Sequence, residues 1–120
     1  MTIVIVSAWF LVASTGVASA GNAVVEKVVA RQAGDGTWRF DVTVRHADEG
    51  WDHYANAFVV ETLEGAELGT RVLLHPHVNE QPFTRSLNGV AVPAEARAVN
   101  VRAVDSVHGA GEAVRYDLPR

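Results

Sequence analysis

The chain has 120 residues, no cysteine and a formal net charge of −4 at pH 7. That length suits one domain with a modest core, and the missing thiols exclude a disulfide framework and any thiolate metal site. Ten Lys and Arg residues are scattered among fourteen Asp and Glu. This leaves no basic face for nucleic acid and no electrostatic patch for a membrane surface.

The first 25 residues contain no charged side chain; the first is Glu26. Within them Ile3 to Val12 is apolar, and Ala18-Ser19-Ala20 precedes Gly21. This reads as a signal-peptide core followed by an Ala-x-Ala cleavage site, although no Lys or Arg precedes the apolar run. An uncleaved membrane anchor would need about twenty predominantly apolar residues, and Ser14, Thr15, Gly16 and Ser19 interrupt the segment too early. The expected organisation is a signal peptide over 1–20 and one exported domain over 21–120, with no membrane association after cleavage.

Beyond Gly21 no helical apolar period is sustained, while period-two alternation recurs. Ala23 to Gln32 is a valine-rich first strand, and Gly34-Asp35-Gly36 supplies a hairpin turn. Thr37 to His46 carries the clearest signal. Trp38, Phe40, Val42 and Val44 alternate with polar residues, so one face is buried and one wet; His46 is next in the buried phase. A polar loop over 47–53 leads to a central strand, Tyr54 to Leu63. Glu64 to Glu67 turns the chain into Leu68 to Leu74, and the loop His75 to Phe83 follows. Thr84 to Val92 is a fifth strand with a bulge expected near Asn88-Gly89. Pro93 to Arg97 crosses over to Ala98–Val107, in which Val99, Val101, Ala103, Asp105 and Val107 share a phase. A glycine-rich turn at His108 to Gly111 leads to the last strand. Seven short strands with turns between them predict an all-β, antiparallel, immunoglobulin-like or fibronectin-like sandwich; a small barrel is the alternative.

If the strands run alternately up and down, every connection that carries a histidine falls at one pole. His46, His53, His75, His77 and His108 then converge, and the opposite pole receives none. A thiol-free exported protein would use imidazole to bind zinc, copper or nickel. His75 and His77, two apart on an extended segment held by Pro76, are the lead ligands, and His46, His53 and His108 are the candidates to complete the set. Asp48, Glu49, Asp52 and Asp105 could complete the coordination or fix the imidazole tautomers. Asp105 falls in an apolar phase and wants a partner, which a histidine or Arg85 would supply. The same residues equally suit a polar plug that satisfies the backbone groups of long loops. Catalysis finds little support: Asp105-Ser106-Val107-His108 has triad residue types without triad geometry, and no nucleophile elbow accompanies it. Trp51 and Tyr54, flanking His53, could stack on a glycan or a protein partner; the expectation for Trp51 is that it folds back to cap the end of the core.

The stretches Gly50-Trp51-Asp52-His53-Tyr54-Ala55, Leu68 to His77 and Glu80 to Leu87 resemble an uncharacterised family of small exported proteobacterial proteins. The resemblance implies a periplasmic or secreted domain and brings no activity, substrate or ligand set with it. The sequence therefore points to a non-enzymatic binding module of the cell envelope with a histidine-lined pole. The alternative is a protein- or glycan-binding module whose histidines are structural.

Overall fold

The alternation along residues 37–46 becomes a strand, β2 (Trp38–Arg45), in which Trp38, Phe40, Val42 and Val44 are at most 1% exposed. In the computed structural model, which describes residues 22–120, β2 lies between β1 (Val24–Gln32) and β5 (Phe83–Val90) in a three-stranded antiparallel sheet. The expected export segment and its Ala18-Ser19-Ala20 site lie outside the described residues. The second sheet runs β4 (Glu67–Val72), β3 (Ala55–Glu61), β6 (Ala98–Asp105). The far edge of β6 is paired by two short strands in succession, β7 (Gly109–Ala110) at its C-terminal end and β8 (Val114–Asp117) at its N-terminal end. β7 and β8 share one strand position, so the seven positions expected from sequence are present, and no helix occurs among the described residues.

The two sheets face one another across a single apolar cluster, as an antiparallel β-sandwich requires. Phe40, Val42, Val44 and Phe83 come from one sheet, and Phe58, Val60, Val99 and Val101 from the other. Each such side chain, fully removed from water, contributes roughly 1.5–3 kcal/mol. All paired strands run antiparallel, and the crossings between sheets follow β2, β4 and β5.

Two local details follow from the sequence. Opposite β2, Trp38 pairs with Val90 but Phe40 pairs with Leu87, so β5 carries one extra residue at Asn88-Gly89. Gly89 adopts φ 68° there, the conformation glycine supplies to such a bulge. The sixth strand, expected to reach Val107, stops at Asp105 instead. The Asp105 carboxylate accepts the backbone N–H groups of Val107 (2.6 Å) and His108 (3.0 Å); this side-chain turn takes the backbone donors away from the ladder. Val107 is consequently exposed rather than in the buried phase.

The connections sort into two ends. The β1–β2, β3–β4 and β5–β6 connections lie at one, where residues 62–64, Pro93 and 95–98 line a common groove. The β2–β3, β4–β5 and β6–β7 connections meet at the other, tied by hydrogen bonds from Tyr54 N to Ser106 Oγ, His77 N to Asp48 Oδ2 and His46 N to Gln81 Oε1.

Candidate metal centre

All five histidines lie on the connections of that second end, and they form two groups. The first is built on Asp105, the last residue of β6, whose side chain is fully buried. One carboxylate oxygen, Oδ1, is taken up by the turn. The other, Oδ2, lies 2.6 Å from His46 Nε2, 2.8 Å from His53 Nε2 and 3.3 Å from His108 Nδ1. His46 arrives there because β2 ends with its buried phase intact, leaving the residue 3% exposed. His53 arrives from the far side of the same loop, with its ring 4.8 Å from that of His46 at an interplanar angle of 72°.

The outward nitrogens of the two inner rings are held by carboxylates. His46 Nδ1–H donates to Asp48 Oδ1 at 2.6 Å, and His53 Nδ1–H donates to Glu49 Oε1 at 2.9 Å. Asp48 is itself fixed: Oδ1 also accepts Ala55 N–H (3.0 Å), and Oδ2 accepts His77 N–H (2.6 Å). A ligand imidazole typically hands its second N–H to a carboxylate in this way, which sets its tautomer and raises its basicity. Asp48 and Glu49 thus turn two Nε2 atoms toward one point, and a buried carboxylate oxygen is already at that point.

The donor atoms of His46, His53 and Asp105 all lie within 4.8 Å of one another. Tetrahedral zinc with bonds of about 2.0–2.1 Å spaces its ligand atoms by about 3.3 Å. The two short contacts to Oδ2, at 2.6 and 2.8 Å, would therefore open by roughly 0.5–0.7 Å to admit such an ion. Two imidazoles and a carboxylate suit borderline divalent ions such as zinc, copper(II) or nickel. Burial opposes ionisation of Asp105, but the Val107 and His108 N–H donors and the His53 ring outweigh it and hold the carboxyl far below the ordinary carboxylate range. In this geometry Asp105 Oδ2 accepts hydrogen bonds from the two inward-turned Nε2–H groups, whose protons a bound ion would replace.

The second group contains the pair that sequence placed first. The His75 and His77 rings are neighbours, 4.6 Å between centroids, but they stand apart from Asp105. His77 is buried and stacks on Phe83 at 4.0 Å and 12°. Arg85 Nη2 donates to its Nε2 at 2.9 Å, and its Nδ1 is buried without a hydrogen-bond partner. His75 is exposed, with Nδ1 donating to Pro76 O at 3.0 Å. The Arg85 that was a partner candidate for Asp105 serves His77 and, at 3.2 Å, Glu80, while Asp105 is partnered by histidines. Asp52 is exposed in the 46–54 loop. The two groups are joined through Asp48, between His46 and the His77 backbone, and through Gln81.

Trp51 does not cap the core. It is 66% exposed and meets Tyr54 edge-on at 5.6 Å, because Gly50, at φ 106°, turns the loop outward just before it. Gln81 was missed from sequence: its Oε1 accepts His46 N–H and its Nε2 donates to His77 O (2.9 Å), clamping two loops together. A lone glutamine in a polar loop gives no signal of such a role.

No known protein family matches the chain, and no solved structure matches it. A protein of Halomicrobium mukohataei named "Putative lipoprotein" is 45% identical over 87 residues, covering 72% of this chain and 42% of the relative. The chain thus spans about two fifths of the relative's length. The proteobacterial family expected from the His-Pro-His pattern rests on the sequence resemblance alone.

Proposed function

We propose that this chain is a non-enzymatic binding module of the cell envelope whose histidine pole holds one divalent transition metal, with zinc and copper the leading choices. The observation that carries the reading is the paired arrangement of carboxylate, imidazole and central oxygen: Asp48 and Glu49 behind His46 and His53, both Nε2 atoms on Asp105 Oδ2. A polar plug requires only that each group find some partner, and it does not require two Nε2 atoms to share one oxygen. Export as residues 21–120 after removal of 1–20, to the periplasm or outside the cell, fits the apolar leader and the relative's lipoprotein name. The 120 residues hold no cysteine, so the kinship supports an envelope setting rather than a thiol-linked lipid within this stretch.

A ligand that binds only the native state stabilises it by about 2.7 kcal/mol at one hundred times its Kd. For a domain of this size each kcal/mol moves Tm by about 4–8 °C. Metal-stripped protein titrated with zinc, copper(II) or nickel is expected to melt on the order of 10 °C higher and to retain one ion per chain by elemental analysis. His53→Ala and Asp105→Asn are expected to lose the shift and the ion. If wild type shows neither shift nor retained ion with any of the three metals, the metal reading is wrong.

A second reading is favoured by the exposure of Trp51: a glycan- or protein-binding surface formed by Trp51 and Tyr54, with the histidines structural. The same titration separates the two, since a pole that binds no metal leaves these aromatics as the functional surface.

A further inference from the structure

The three inner donors and His108, whose ring lies 5.1 Å from that of His53, differ in how far they are exposed. The His46 and Asp105 side chains are at most 1% exposed, and that of His53 is 17% exposed, whereas that of His108 is 45% exposed. His108 Nδ1 is also the farthest of the three ring nitrogens from Asp105 Oδ2, at 3.3 Å against 2.6 and 2.8 Å. The inner rings are anchored from behind by carboxylates carried on the same loop. His108 sits at the tip of the β6–β7 turn, followed by Gly109 at φ 80°, a position that tolerates rotation of the turn. The wall of the site is thus closed on the Asp48 side and open on the His108 side, where Val107 is largely exposed.

Resting on the metal reading above, we propose that His108 is the exchangeable fourth ligand of the ion, and that an external monodentate imidazole can take its place. The step is a simple substitution: the bond from the metal to His108 Nδ1 breaks as a bond to the incoming ring nitrogen forms. One neutral nitrogen donor replaces another, so the charge of the centre is unchanged and no redox partner is needed. Such a position suits an ion that is passed on or offered to a histidine of another molecule.

The experiment uses the full chain loaded with copper(II), compared as wild type, His108→Ala, His108→Gln and His53→Ala. The two His108 variants are expected to retain one ion per chain, with affinity reduced far less than in His53→Ala. Their visible spectra should differ from wild type and return toward it on addition of millimolar imidazole. Free histidine, which chelates through its amine, serves as the contrasting arm and should strip the ion rather than restore the spectrum. Loss of the ion from both His108 variants as complete as from His53→Ala would make His108 a fixed ligand and overturn the proposal. Spectra identical to wild type and indifferent to imidazole would overturn it too, because His108 would then not be a ligand. A wild type that takes up no ion would instead overturn the proposed function itself.

Discussion

His77 shows how a single contact decides what a histidine can do. A guanidinium has only donors, so Arg85 requires the His77 Nε2 lone pair as acceptor and leaves the ring proton on the buried Nδ1. An imidazole committed in this way is neutral. Burial, then the Arg85 charge and His75, push its pKa below the ordinary value. The unfolded chain, by contrast, takes up that proton near pH 6.5. The contribution of His77 to stability is therefore complete above about pH 6.5 and is lost as pH falls from there toward the folded-state value. Asp105 is also shifted down, by the hydrogen bonds it accepts rather than by burial: its contribution is complete above about pH 4 and is lost only as the pH falls from there. The two effects fall in separate windows. His77→Phe keeps an aromatic ring on Phe83 and removes the titration. In metal-free protein, its urea midpoint is expected to gain on wild type as the pH is lowered from about 7 to about 5. Parallel midpoints across that range would show that His77 is not held neutral.

At the level of strands and turns, the β1 start and the β7–β8 arm are fitted to each other through one glycine. Gly111 donates its N–H to Ala103 O at 2.8 Å and accepts Arg102 Nη1–H at 2.9 Å. A Cβ at this position would meet Ala23 O at 2.5 Å and Ala103 O at 3.3 Å, both backbone atoms with nowhere to go. Gly111→Ala should therefore cost about 1–3 kcal/mol by forcing β1 away from β6, a loss readable as a lower urea midpoint. Gly34→Ala is the control, since nothing lies within 4 Å of its Cβ position, and its effect should stay within about 0.5 kcal/mol. Equal effects would mean that the Ala23 approach does not matter. Such a contact is invisible in sequence, because it joins residues 23 and 111 through backbone atoms alone. What sequence does carry is period and turn chemistry. The strict alternation of 38–44 gave β2, and Asn88-Gly89 gave the bulge. The odd acidic residue in the apolar phase of 99–105 marked the centre of the site. It could not say which histidines reach that residue. His75-Pro76-His77 looks stronger as a spacing motif than His46 and His53, yet Arg85 and Phe83 occupy His77, and Asp48 and Glu49 turn the weaker-looking pair inward.

The whole molecule separates a frame from a site. β2 and β6 end and β3 begins at the histidine pole, and a strand of eight residues at about 3.3 Å each places the opposite pole about 25 Å away. The core between them is fully packed and apolar, so a disturbance at the far turns has no polar chain along which to reach Asp105. The Thr62–Ala66 turn is held by Gly65 N to Thr62 O (2.9 Å), Thr62 N to Ala66 O (2.8 Å) and Ala66 N to Thr62 Oγ1 (3.0 Å). Inserting Gly-Ser after Glu64 loosens these bonds and lengthens one exposed connection. This should lower stability by about 1–2 kcal/mol and leave metal affinity as it was. The same dipeptide after Glu49 shifts His53 relative to His46 and Asp48, the two residues that precede it on the loop. It should abolish the metal-dependent rise in Tm even where the apo protein still melts cooperatively. Paired titrations of the two insertion variants decide the matter: equal loss of affinity at both poles would mean that the ion is not bound where His46, His53 and Asp105 converge.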